Sequence, residues 1–116
     1  MSEAAAPPRR LADWLKVRLP SGENYDRLKA VSARRGLATV CQEARCPNIA
    51  ECWGSGTATF MVMGDACTRG CRFCVVKSEA RPPSPSADEP IKLADTLADM
   101  RLEYAVLTTV CRDDLP

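Results

Sequence analysis

The sequence contains no histidine, no long apolar run and almost no net charge. The lack of histidine excludes the mixed Cys/His ligand sets that many structural zinc sites use. No apolar run approaches the roughly 20 residues that a membrane-spanning helix needs, and the first ten residues lack the apolar core of a secretory signal. Lys and Arg number 16 against 15 Asp and Glu, which gives no sign of a nucleic-acid surface. We therefore expect neither a membrane nor a nucleic acid as a partner.

Cysteine, in contrast, is abundant, with seven residues in a chain of 116. Six of them form two triplets: Cys41, Cys46 and Cys52, and then Cys67, Cys71 and Cys74. The total is odd and no secretory signal is evident, so a disulfide framework is the weaker interpretation. Two triplets favour two metal clusters in a reducing compartment. We expect a cytoplasmic location, with an organelle as the alternative.

The second triplet has the spacing C-x3-C-x2-C, with an Arg, a Gly and an aromatic residue between the cysteines. A cubane [4Fe–4S] cluster has four irons that thiolates usually bind, so three thiolates on one loop leave the fourth iron open. An open coordination position is where a metal site carries out chemistry. The alternative is a structural zinc site or a disulfide pair, but zinc sites usually show four protein ligands.

Helical spacing of apolar residues predicts a helix over residues 24–35, with Gly36 as its end. Proline tolerates the first helical turn, so Pro47 predicts a short helix over 48–51. A bend at that point brings Cys46 and Cys52 towards each other. Gly54 to Gly56 then predict a flexible break.

A βαβ unit is predicted in the second half of the chain. Strands are expected over 57–62 and 104–110, the second buried on both faces, with a helix over about 91–102 between them. Asp88 is the expected N-cap of this helix after a proline-rich linker over 78–90. The buried stripe of the helix is predicted as follows: Ile91, Ala94, Leu97, Ala98 and Met100. The cysteine loop follows the first strand, where α/β proteins bind cofactors.

The C-x3-C-x2-C loop resembles the signature of the radical S-adenosylmethionine (SAM) superfamily. Over about residues 13–116 the sequence resembles the amino-terminal part of the lipoyl synthase family, in which a C-x4-C-x5-C motif precedes that loop. The resemblance is carried by these runs: Gly22-Glu23-Asn24-Tyr25, Thr39-Val40-Cys41, Glu43-Ala44, Cys46-Pro47-Asn48-Ile49, Glu51-Cys52-Trp53, Gly56-Thr57-Ala58-Thr59-Phe60-Met61, Gly64-Asp65, Cys67-Thr68-Arg69, Arg81-Pro82-Pro83, Asp88-Glu89-Pro90 and Arg112-Asp113-Asp114-Leu115.

The resemblance implies a role for each triplet. Cys67, Cys71 and Cys74 would bind the catalytic [4Fe–4S] cluster that cleaves SAM, with Phe73 near the adenine. The other three cysteines would bind an auxiliary [4Fe–4S] cluster that is consumed as the sulfur source: Cys41, Cys46 and Cys52.

The reaction that the resemblance implies is the insertion of two sulfur atoms at C6 and C8 of a protein-bound octanoyl group, which makes the lipoyl cofactor. The enzyme would be a radical SAM sulfurtransferase. Its implied partners are an octanoylated lipoyl carrier protein (a lipoyl domain or an H-protein type), an electron donor such as ferredoxin or flavodoxin, and a sulfur or cluster donor. An unactivated C–H bond has no acidic proton, so the absence of histidine is no obstacle to such chemistry.

The implied fold class is α/β: an amino-terminal fragment of a partial (β/α) TIM-type barrel, preceded by an irregular cysteine-rich extension. We place the extension with its auxiliary iron–sulfur segment at 1–56 and the start of the barrel, one βαβ unit, at 57–116. The later barrel strands of the family are not in this sequence, nor is the Arg-Ser-Ser-Tyr run whose serine is the auxiliary cluster's fourth ligand. We therefore expect the 116 residues to be a truncated form, inactive alone.

Cys111 stands where the resemblance leads us to expect Asp. It is either a buried or neutral replacement or a stand-in cluster ligand. Three alternatives to lipoyl synthesis remain at this point: another radical SAM sulfur-inserting enzyme, a ferredoxin-like electron carrier, and a zinc-binding module.

Overall fold

The computed structural model describes residues 10–116. The stretch 1–10, in which we expect no secretory signal, lies outside this part except for Arg10. The elements, after a single 3-10 turn at Asp13–Leu15, are α1 (Glu23–Arg35), α2 (Val40–Glu43), α3 (Ile49–Gly54), β1 (Thr57–Val62), β2 (Ala66–Cys67), β3 (Lys77–Ser78), α4 (Glu89–Met100) and β4 (Tyr104–Thr109). Within the described residues, no helix is long and apolar enough to cross a membrane.

The centre of the fold is a parallel pair of strands, β1 and β4, joined through α4. Their register runs from Thr57 opposite Tyr104 to Val62 opposite Thr109. The predicted βαβ unit is therefore confirmed, and so is the α/β class. A second parallel pair, β2 with β3, holds the start and end of the cysteine loop and was not expected. The sequence did not indicate it because each strand has only two residues.

The core lies between this sheet and the helices. Its buried members are Leu28, Val31, Cys41, Trp53, Ala58, Phe60, Leu93 and Met100. The rings of Tyr25 and Trp53 pack with their centroids 5.4 Å apart. Helix α3, which carries Cys52, is thereby fixed against α1.

Helix α1 forms as predicted and ends at Gly36, which adopts the left-handed conformation (φ 65°) that glycine tolerates best. Leu28 and Val31 point into the core. At its carboxyl end, Arg35 pairs with Asp99 of α4. This ion pair raises the pKa of Arg35 and lowers that of Asp99. The amino-terminal segment is therefore tied to the βαβ unit by both apolar packing and charge.

Two predictions about the βαβ unit are wrong in detail. Of the predicted buried stripe of α4, Met100 is buried and Leu97 is half-buried, but Ile91 (65% exposed), Ala94 and Ala98 are exposed. The other buried residues of the helix are Leu93 and Thr96. The predicted stripe was shifted because helical spacing alone does not say which of two partly apolar faces meets the sheet. Strand β4 is not buried on both faces, since Val106 and Leu107 are exposed in the described structure.

Candidate functional site

The loop from Cys67 to Cys74 begins at the carboxyl end of β2, the strand that follows β1 in the chain. Cys67 is half-buried, whereas Cys71 and Cys74 are exposed. A turn forms where the N–H of Cys74 donates to the carbonyl of Cys71 (3.0 Å). Phe73 is 92% exposed. The loop thus presents thiols to solvent at the edge of the sheet where α/β proteins bind cofactors.

The sulfur of Cys67 accepts two backbone hydrogen bonds. One comes from the N–H of Arg69 (3.5 Å) and the other from the N–H of Cys111 (3.4 Å). These two donors lower the pKa of the Cys67 thiol because they stabilise the negative charge of the thiolate, and the N–H of Arg69 has the larger effect. The thiolate is the form that binds metal.

A charged clamp fixes this loop to the segment that follows β4. The guanidinium of Arg69 makes a two-pronged contact with Asp113, with Nη2 2.9 Å from Oδ1 and Nε 3.0 Å from Oδ2. The hydroxyl of Thr68 also donates to Asp113 Oδ2 (2.8 Å). These hydrogen bonds lower the pKa of the Asp113 carboxyl to about 2, and the bond from Arg69 is the largest cause. The contact between Arg69 and Asp113 also raises the pKa of Arg69. Asp113 is therefore ionised at neutral pH and holds the loop in place.

Glu89 holds the entry of the loop. Met63 and Gly64 both have positive φ (71° and 100°), and Met63 is a residue type that rarely adopts it. Their N–H groups donate to the two carboxylate oxygens of Glu89, at 2.9 and 3.2 Å. The carboxylate thus stabilises the sharp turn that leads the chain from β1 into the cysteine loop.

Arg112 connects the proline-rich linker to the same edge of the sheet. Its side chain is only 2% exposed and is paired with Asp114, with Nη2 2.8 Å from Oδ2. It donates from Nη1 to the carbonyl of Pro83 (2.9 Å) and from Nη2 to that of Pro82 (3.2 Å). A planar guanidinium can satisfy several acceptors at once, which a lysine ammonium cannot do in this geometry.

The first triplet lies among α2, α3 and the turn between them. Thr39 caps α2 by accepting from the N–H of Gln42 (3.2 Å), and its hydroxyl donates to the Gln42 side-chain carbonyl (3.0 Å). The N–H of Cys46 donates to the carbonyl of Cys41 (3.0 Å), which folds the two cysteines onto one turn. The pKa of the Cys52 thiol is raised, chiefly by its burial and to a smaller extent by the Cys41 and Cys46 thiols.

The first triplet thus lies beside the core and the second at the carboxyl edge of the sheet. Among residues 10–116, no group of three or more Cys, Asp or Glu side chains has the geometry of a metal site. The roles of the seven predicted site residues stay predictions: Cys41, Cys46, Cys52, Cys67, Cys71, Phe73 and Cys74.

The donor chemistry nevertheless fits iron–sulfur clusters. Each triplet offers three thiols, the ligand type that such clusters prefer. The sulfur of Cys67 is already arranged as a hydrogen-bond acceptor, and such hydrogen bonds to cluster sulfurs tune the cluster.

Sequence reasoning missed the residues that hold these loops: Thr39, Glu89 and Arg112. All three occur in runs that carry the family resemblance, which was the one feature of the sequence that could have indicated their importance. Their partners lie as far as 49 residues away, so only the fold shows what they contact.

Comparison with known proteins shows which proteins this chain is similar to. A family model described as the N-terminal domain of lipoyl synthase of the radical SAM family matches residues 3–46. Lipoyl synthase of Myxococcus xanthus is 63% identical over 107 residues, covering 92% of this chain and 36% of that protein. The mitochondrial lipoyl synthases of Drosophila erecta and Bos taurus are 55% and 54% identical over 112 residues, covering 92% of this chain and 30% of each relative.

The chain spans about a third of the length of these curated relatives, which is their amino-terminal part by the description of the matching family model. The identities extend well beyond the residues that the family model matches, and so include the region of both cysteine triplets. By sequence, therefore, this chain matches the amino-terminal region of the lipoyl synthases.

Proposed function

We propose that this chain supplies both sets of cluster ligands of a lipoyl synthase, a radical SAM sulfurtransferase. Cys67, Cys71 and Cys74 would bind the [4Fe–4S] cluster that meets SAM, and Cys41, Cys46 and Cys52 would bind an auxiliary [4Fe–4S] cluster. The observation that supports this most is the sulfur of Cys67. It accepts two backbone N–H groups at the carboxyl edge of a parallel strand pair, in a chain 63% identical to a lipoyl synthase.

When bound, the clusters and SAM would supply a 5′-deoxyadenosyl radical and sulfide for the insertion of sulfur at C6 and C8 of a protein-bound octanoyl group. The chain's own residues would place the ligands. The Arg69–Asp113 clamp fixes one side of the loop, and Glu89 fixes its entry. Phe73, exposed beside Cys74, is available to contact the adenine of SAM.

The finer architecture belongs to the same proposal. Residues 57–116 would begin a partial (β/α) TIM-type barrel, of which the βαβ unit is the first part, and residues 1–56 would form the cysteine-rich extension. The carboxyl ends of barrel strands carry the active site in such folds. The location of the cysteine loop after β1 and β2 agrees with that arrangement.

The partners follow from the proposed reaction. They would be an octanoylated lipoyl carrier protein, an electron donor such as ferredoxin or flavodoxin, and a source of sulfur or of clusters. A cytoplasmic location is proposed, with an organelle as the alternative because two of the relatives are mitochondrial by name.

The test requires the rest of a lipoyl synthase, because the chain covers 36% of the Myxococcus xanthus relative. A chimaera in which this chain replaces the matched 107 residues of that relative provides it. Replacing the first triplet by Ala is expected to leave SAM cleavage and to abolish sulfur insertion into an octanoylated carrier. Replacing the second triplet is expected to abolish both.

Two results would count against the proposal. If SAM cleavage disappears when only the first triplet is replaced, the division of roles between the triplets is wrong. If the purified protein holds zinc and no iron after anaerobic reconstitution, the chain is a zinc-binding module.

A further inference from the structure

Cys111 is the one cysteine outside the two triplets. It lies two residues beyond the end of β4 and is exposed. The resemblance leads us to expect Asp at this position, where this chain has a thiol. Its neighbours show what it can do there.

Cys111 is in direct contact with Cys67 and its loop. The backbone N–H of Cys111 donates to the Cys67 sulfur at 3.4 Å. The carbonyl of Cys111 accepts from the N–H of Thr68 (2.9 Å) and from its hydroxyl (3.0 Å). The two segments therefore run side by side.

This arrangement suits a covalent bond between the two sulfurs. Backbones joined by such N–H···O=C bonds lie about 4.8 Å apart in a sheet. Disulfides need Cα atoms about 4.4–6.8 Å apart. Parallel pairing of β1 and β4 brings the segments that carry the two cysteines to the same end of the sheet.

We propose that Cys67 and Cys111 form a reversible disulfide when the loop carries no cluster, with a small disulfide such as glutathione disulfide as the oxidant. One cysteine sulfur attacks the oxidant, breaking its S–S bond and releasing one glutathione. The other cysteine sulfur then attacks the mixed disulfide and releases the second glutathione. The two cysteines together lose two electrons and two protons, and the oxidant gains them.

The alternative partners of Cys67 are less well placed. Cys71 and Cys74 are joined to each other by the turn from Cys74 N–H to the Cys71 carbonyl. Neither of them donates a hydrogen bond to the Cys67 sulfur within the part of the chain that the structure describes. Cys111 contacts that sulfur directly.

The disulfide would remove a ligand from the candidate cluster site and protect it from over-oxidation. This consequence, unlike the disulfide itself, depends on the proposed function. Cytoplasmic disulfides are typically transient, which fits a bond that a cellular thiol can reverse.

The disulfide is tested on the metal-free protein, treated anaerobically with glutathione disulfide, alkylated and mapped by mass spectrometry. We expect one peptide pair that joins Cys67 to Cys111, loss of alkylation at both positions together, and recovery with dithiothreitol. In C111S and in C111D, which has the residue expected from the resemblance, Cys67 should stay alkylatable or carry glutathione. In C71S the Cys67–Cys111 bond should still form.

The proposal is overturned if Cys67 is mapped to Cys71 or Cys74 in the wild type, or if Cys111 stays alkylatable while Cys67 is oxidised. Iron uptake tests the consequence. Oxidised wild type should load its second triplet only after reduction, whereas oxidised C111S should load to the extent that its Cys67 remains alkylatable. Equal loading of oxidised and reduced wild type would refute the loss of a ligand. If the chimaera, fully reduced, binds no iron that responds to SAM, the proposed function fails while the disulfide map still stands.

Discussion

The cap of α2 gives the sharpest prediction, because one hydroxyl fixes the helix that carries Cys41. Thr39 is fully buried, accepts from the N–H of Gln42 and donates to the Gln42 side-chain carbonyl. The same carbonyl also accepts from the hydroxyl of Ser32 in α1 (3.1 Å). Replacing Thr39 by Val keeps the shape of the side chain and removes both of its hydrogen bonds.

The expected cost can be worked out from these contacts. Loss of a Thr cap costs about 1 kcal/mol, and loss of a second net hydrogen bond costs about another 1 kcal/mol. T39V should therefore lower the free energy of unfolding by about 2 kcal/mol. With a urea m-value of about 2 kcal/mol/M, the midpoint should fall by about 1 M with m unchanged.

Thr96 offers a matched control, since it is also a fully buried threonine. Its hydroxyl donates to the carbonyl of Lys92 (2.6 Å), which as a helix-interior carbonyl already accepts from the backbone N–H of residue 96. T96V should therefore change the free energy of unfolding by less than about 0.5 kcal/mol. Equal effects of T39V and T96V would refute the assignment of Thr39 as a structural cap of the first triplet.

Three further predictions concern the residues that hold the cysteine loop. The pKa of Asp113 is lowered to about 2, so the stability that its carboxylate adds to the folded state is complete above the unfolded value of about 3.9 and is lost as pH falls through about 2. The difference in free energy of unfolding between wild type and D113N should therefore be constant above about pH 4 and shrink below it. A constant difference down to about pH 2 would contradict the clamp. E89Q should speed hydrogen exchange at the loop-entry amides, whereas D88N, whose side chain makes no cap bond, should not; equal exchange in both variants would count against Glu89. R112K should speed subtilisin cleavage within the proline-rich linker, whereas R34K on the surface of α1 should leave the cleavage rate unchanged. Cleavage of R112K as slow as that of wild type would mean that the guanidinium does not hold the linker.

Much of the framework could be predicted from the sequence because its signals are local. Strand β1 coincides with the predicted 57–62, and α1 ends at Gly36 as expected. Continuous β-branched and apolar residues indicate a strand, and a glycine after a helical pattern indicates its end. The short helix after Pro47 was also expected, although it begins at Ile49 and runs on to Gly54.

The rest depends on contacts between distant residues. Leu93 rather than Ile91 faces the core because the position of α4 is set by the sheet and by α1. In the sequence nothing distinguishes Arg112 from other charged residues, and only the fold brings its guanidinium to the carbonyls of Pro82 and Pro83. Likewise, the contact of Cys111 with Cys67 follows from the parallel register of β1 and β4.

The central claim is that the loop of Cys67, Cys71 and Cys74 binds a cluster with one iron open to SAM. The most direct measurement is the EPR spectrum of the reduced, reconstituted chimaera in which the other triplet, Cys41, Cys46 and Cys52, has been replaced by Ala. We predict that about half of the iron remains and that SAM changes the spectrum, because only an open iron can accept a new ligand. A spectrum that SAM leaves unchanged, or a response that survives replacement of Cys67, Cys71 and Cys74, would contradict it.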